Sequence, residues 1–180
     1  MQNKNRKKER IYAFIDSQNL NLGVRSQGWV LDFARFRTYL KDKYKAQKSY
    51  LFIGMVPSNE GLYKYLQESG YILIFKPTLE INSKDRLIKG NVDAELVLHS
   101  MIEYPNYDKA VIVSGDGDFH CLIKYLDSKD KMMKLIVPNK NGFSYLLRKF
   151  RKYIIYVNSF RKKVENKEDK KRGNNLRTKP

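Results

Sequence analysis

A single cysteine in 180 residues, Cys121, leaves no partner for an intrachain disulfide and no thiolate cluster for structural zinc. It fits a reducing cytosol, and its place after Phe119 predicts a small buried residue on a helix. No apolar run approaches the roughly 20 residues that a membrane span needs, and the opening MQNKNRKKER has no apolar signal core. A soluble cytoplasmic protein without membrane association is expected. Neither a Walker glycine loop nor the dinucleotide glycine fingerprint follows the first apolar run, which argues against nucleotide-triphosphate and dinucleotide chemistry. Acidic side chains are scarce too. There are 19 Asp and Glu against 36 Lys and Arg, a formal net charge of +17.

That charge is unevenly spread. Residues 1–10 hold five basic and one acidic side chain, and residues 161–180 nine basic and three acidic, so +7 remains on residues 11–160. A basic body predicts a polyanionic partner, because phosphates neutralised by Lys and Arg release condensed counterions. Nucleic acid fits better than a membrane surface, since neither tail has an amphipathic apolar face. Length and the 42% apolar content suit one domain with appendages. These are a basic arm over 1–10, a folded domain over 11–160, and a basic tail over 161–180 whose charge density predicts disorder.

Short apolar runs alternate with helical patterns along the chain. Strands are expected at Ile11–Ile15, Lys48–Val56, Tyr71–Phe75, Ala110–Val113, Met132–Val137 and Tyr153–Val157. Helices are expected at Leu31–Tyr44 with Asp32 as a cap, and at Asn59–Ser69 with Leu62, Tyr65 and Leu66 inward. Three more follow: one from Asn91 to Tyr104, one after Phe119 with Leu122, Ile123 and Leu126 inward, and a basic amphipathic one at Phe143–Lys152. The polar stretch Pro77–Gly90 is long for a connection and suits a binding loop. Strands that are apolar throughout, alternating with helices, predict an α/β fold: a mainly parallel sheet covered on both faces.

Four aspartates stand out by position. Asp116 and Asp118 follow the strand in KAVIVSGDGDF, Asp16 ends the first strand, and Asp93 opens a helix after the long loop. Local roles are open to three of them: a turn residue at Asp116, a cap at Asp118, and a charge complementing the helix dipole at Asp93. If the first and fourth strands are neighbours, however, all four carboxylates converge at the carboxyl edge of the sheet, where ligands bind. Like charges that close cannot stay ionised without cations. With no histidine or cysteine in ligand spacing, hard oxygen donors favour Mg²⁺ or Mn²⁺, and in a basic protein such an ion points to phosphodiester chemistry.

The segments FIDSQNL, KGNVDAELVL and VIVSGDGDF resemble, in order and spacing, the three motifs of NYN domains, the LabA-like branch of the PIN-like nucleases. The resemblance covers about residues 11–157. It implies a three-layer α/β/α PIN-like fold and metal-dependent ribonuclease activity. It makes Asp16, Asp93, Asp116 and Asp118 the catalytic, metal-binding acids, and Asn19 the polar support of the first. By the same resemblance Lys89 faces the substrate phosphate, and Ser114 donates a hydrogen bond near the same oxygens. His99 departs from the pattern, standing where a further acid is often found, which bears on whether a second ion binds. Its own surroundings predict a partly buried helix residue, and His120 an exposed one at a helix start.

Tyr145 and Phe150, beside Arg148, Lys149, Arg151 and Lys152, are candidates to stack on and neutralise RNA. A solvated charged helix face accounts for that strip equally well. Most other tyrosines, Tyr65 and Tyr125 included, fall at core spacing. The expected function is a metal-dependent endoribonuclease acting on single-stranded or structured RNA. The alternative is a non-cleaving RNA-binding module that keeps the fold, and four acids facing phosphates favour the enzyme. The sequence is compatible with a homodimer.

Overall fold

The computed structural model describes residues 8–77 and 92–167. Six strands, β1 (Ile11–Asp16), β2 (Ala46–Met55), β3 (Ile72–Pro77), β4 (Lys109–Val113), β5 (Met132–Val137) and β6 (Ile154–Tyr156), form one sheet in the order β3-β2-β1-β4-β5-β6. All five pairings are parallel. β1 and β4 are neighbours, so the strand order reverses between them, and a crevice opens at their carboxyl ends. β1 is buried along its whole length and β4 from Ala110 onward, which is why both read as continuous apolar runs.

Helices α1 (Ser17–Arg25), α2 (Phe33–Tyr44), α3 (Glu60–Glu68) and α6 (Arg161–Val164) pack on one face around Leu20, Phe36, Leu40, Leu66 and Val164. Helices α4 (Asp93–Ile102) and α5 (His120–Ser128) cover the other around Phe14, Phe52, Leu96, Tyr107 and Ile123. The result is a three-layer α/β/α fold, in which each large buried side chain contributes about 1.5–3 kcal/mol. Helix ends follow their chemistry. Asp32 Oδ1 accepts the Arg35 N–H at 2.9 Å to start α2, and Gly70, with φ +90°, turns the chain after α3.

Several expectations are corrected. α1 has no clear apolar period in the sequence, yet Asp16 caps it, and Leu20 and Val24, four residues apart, are buried beneath it. The segment Tyr145–Phe150 is a 3₁₀ helix, not an α-helix, and buries Leu147 and Phe150, whose three-residue spacing suits that tighter turn. Phe150 is therefore core and offers no ring to a base. In α3 it is Tyr63 and Leu66 that face inward, leaving Leu62 and Tyr65 as half-exposed groove residues. Tyr125 and Cys121 are exposed rather than buried.

Order also runs past Phe160, where disorder is expected. α6 buries Val164, the Asp32 N–H donates to Val164 O at 2.8 Å, and the Asn166 N–H donates to Val30 O at 2.9 Å. Leu31 and Glu165 form an antiparallel bridge. Apolar spacing over Val157, Phe160 and Val164 carries the chain back onto α2, with Phe160 stacked on Tyr39 at 4.1 Å. Among the described residues no helix is long and apolar enough to cross a membrane.

Candidate metal centre

Asp16 ends β1 and is also the N-cap of α1. Its carboxylate is buried, with Oδ1 accepting the Asn19 N–H at 3.0 Å and Oδ2 accepting from Ser114 Oγ at 3.4 Å. Burial pushes its pKa up to about 6. The Asn19 N–H opposes that rise, while the charges of Asp93 and Asp116 add to it.

Ser114 lies across the seam because Ile15 pairs with Val113. The loop that follows is held from three sides. Asn19 Oδ1 accepts the Gly115 N–H at 2.8 Å, Ser114 Oγ accepts the Asp116 N–H at 3.1 Å, and Gly115 O accepts the Ser144 N–H at 2.9 Å. Asp116 caps the short helix Gly117–Phe119 by accepting the Asp118 N–H at 3.0 Å. Gly117 leaves no room for a side chain, since a Cβ there would lie 3.0 Å from Ser144 Cβ. Asn19 therefore touches both acid segments: its backbone N–H bonds Asp16, and its side chain bonds the loop that carries Asp116.

Asp93 enters from the first turn of α4. Carboxylate oxygens of Asp93, Asp116 and Asp118 all lie within 4.8 Å of one another, the first two half-buried and the third exposed. A cleft of about 430 Å³ beside them is lined by Asp16, Asn19, Asp93 and Asp116, together with Gly23, Pro138 and Asn139. Asp93 and Asp116 therefore belong to both groupings. Three hard anionic donors this close, one from α4 and two from the loop after β4, suit an oxygen-seeking divalent cation.

The remaining candidates lie further out. Arg148, Lys149, Arg151 and Lys152 are exposed, and Lys152 pairs with Asp127 at 2.9 Å. Tyr145 is 77% exposed, with the Arg148 guanidinium 5.0 Å from its ring centre. Ser144 ties this strip to the acid loop. His99 is half-buried beside Phe52, and His120 is half-buried beside Phe150 rather than exposed. Lys89 lies outside the described residues. Sequence reasoning missed Gln18, Pro138 and Asn139 as cleft residues. A proline and asparagine directly after β5 mark a turn at the same sheet edge and were the available signal.

Over 135 residues the chain is 25% identical to the Low amplitude and bright protein LabA of Synechococcus elongatus, covering 71% of this chain and 73% of that protein. The crystal structure of a protein of unknown function from Vibrio parahaemolyticus superposes with a TM-score of 0.68 at 21% identity, covering 87% of this chain and 96% of that one. At that identity the likeness shows the fold alone. The NYN domain model, which describes a branch of the PIN-like nucleases, matches residues 10–160. The chain belongs to the NYN domain family.

Proposed function

We propose that this protein is a Mg²⁺- or Mn²⁺-dependent endoribonuclease. The observation that carries the reading is the meeting of three carboxylates within 4.8 Å in a protein of net charge +17. Acids so placed in a basic protein suit an ion that in turn faces a phosphate. Asp93, Asp116 and Asp118 would hold the cation, with Asp16 facing it from the cleft floor, fixed by the Asn19 N–H and Ser114. When bound, the ion would supply an activated water and charge stabilisation for the departing oxygen.

The chain's own groups do the rest. Asn19 and Ser144 fix the acid loop from both flanks, so that its carboxylates are oriented before substrate arrives. Arg148, Lys149, Arg151 and Lys152 neutralise the RNA backbone, Tyr145 offers a ring to an unpaired base, and Lys89 contacts the phosphate. A reducing cytoplasm suits the single exposed cysteine.

Titration of Mn²⁺ and Mg²⁺ into chelator-stripped protein, read by calorimetry and by thermal unfolding, tests the centre. Binding to the folded state raises Tm as ion is added, by about 2.7 kcal/mol of stability at a hundred times Kd. Loss of that rise in Asp116→Asn assigns it to the acid cluster. A Tm indifferent to millimolar ion counts against the reading.

A further inference from the structure

A second cavity, of about 580 Å³, lies across α1 from the acid cleft and opens at the carboxyl end of β2. The two faces of α1 divide between them. Ser17, Asn21 and Arg25, at four-residue spacing, line this cavity, whereas Asn19, Leu22, Gly23 and Ser26 line the acid cleft. Gln18 lines both. The two hollows thus lie side by side at the sheet edge, on either side of one helix about 10 Å across.

We propose that this cavity is a base-binding subsite for a nucleotide flanking the scissile phosphate of a single-stranded RNA, an inference that rests on the ribonuclease reading. Its lining is mainly apolar, with Ile53, Phe33, and the half-exposed Leu62 (42%) and Tyr65 (41%) presenting hydrocarbon and ring surface. An unpaired base has an apolar face to bury there, and stacking of this kind tolerates any sequence. A base inside a duplex has no free face to offer, so the site selects unpaired RNA.

Charge points the same way. Arg25 Nε donates to Asn21 Oδ1 at 3.2 Å, and among the described residues Arg25 forms no ion pair, leaving its charge for a phosphate. Asp32, the only carboxylate among the described lining residues, is already engaged by the Arg35 N–H at 2.9 Å and the Tyr65 hydroxyl at 3.3 Å. A size between about 300 and 1,000 Å³, apolar walls and a few polar edge groups are the general features of small-ligand sites.

The test binds the full chain, in chelator, to a short single-stranded RNA carrying one 4-thiouridine moved stepwise through it. Binding is then read without cleavage, and crosslinks are mapped by mass spectrometry. Crosslinks from one side of the RNA to peptides holding Asn21 or Leu62 are expected. Leu62→Ser is expected to weaken affinity about fivefold, with Leu62→Met close to wild type and both unfolding like wild type. RNA that binds but crosslinks only to the acid cleft and Tyr145–Lys152 overturns the subsite and leaves the ribonuclease reading standing. No RNA binding at all overturns both. Self-association on sizing that Leu62→Ser abolishes, with RNA affinity unchanged, assigns the cavity to a second copy and overturns the proposal.

Discussion

Asn19 Oδ1 accepts the Gly115 N–H at 2.8 Å, tying the helix after β1 to the loop after β4. The same residue's N–H donates to Asp16 Oδ1 at 3.0 Å. Gly115 is buried, so its N–H left without an acceptor costs about 1–3 kcal/mol. Asn19→Ala is expected to lower stability by about that much and to weaken Mn²⁺ binding, because the acid loop loses one of its supports. Thermal melts across a Mn²⁺ titration check both. Lower stability with unchanged ion affinity would reduce the tie to a structural one.

The buried carboxyl of Asp16 gives a pH dependence of unusual sign. Its pKa is pushed up to about 6 by burial, against about 3.9 in an unfolded chain. Between those values the folded state binds more protons, so stability is greater below the window and is lost as pH rises from about 4 to 6. The full effect for this one group is at most about 3 kcal/mol. Urea unfolding of metal-free protein across that range should show wild type losing stability relative to Asp16→Asn, and added Mn²⁺ should remove the loss. Parallel pH profiles for the two proteins would contradict the assignment.

Strands were legible in the sequence where both faces are buried, as in Ile11–Asp16 and Ala110–Val113, because the apolar run then has no gaps. The acids were legible as a set because each sits where a strand ends or a helix begins. How they group was not: the near approach of Asp93, Asp116 and Asp118 depends on side chains from different segments. α1 was hidden by Asn19, Asn21 and Gly23, poor helix formers that the Asp16 cap and burial of Leu20 and Val24 override. Over ten residues, a three-residue period could not be separated from 3.6, so Phe143–Lys152 read as an α-helix.

The C-terminal segment should behave as two parts. Deleting 168–180 is expected to move the urea midpoint little and to flatten the salt dependence of RNA binding, since five basic side chains go. Deleting 161–180 also removes buried Val164 and its bond to the Asp32 N–H, at a cost of about 2–4 kcal/mol. Equal midpoints for the two truncations would contradict the packing of α6 on α2.

Tyr145 and Phe150 separate surface from core within one 3₁₀ segment. Tyr145→Ala, at a 77% exposed ring, is expected to weaken RNA binding by about 1–3 kcal/mol and leave Tm unchanged. Phe150→Ala should cost about 3–5 kcal/mol of stability instead. Filter binding and thermal melts of the two variants check the contrast, and a Tyr145→Ala protein with wild-type RNA affinity would remove the ring from the interface.

Cleavage of a labelled single-stranded RNA by wild-type and Asp116→Asn protein, each in Mn²⁺ and in chelator, tests metal-dependent ribonuclease activity most directly. Wild type is predicted to cut in Mn²⁺ and not in chelator. Asp116→Asn is predicted to lose at least about a hundredfold in rate while binding RNA almost as tightly, since the carboxylate acts on the ion rather than on the RNA. Tight RNA binding by wild type with no cleavage in any divalent ion, or cleavage that Asp116→Asn leaves intact, would contradict it and favour a non-cleaving RNA-binding module.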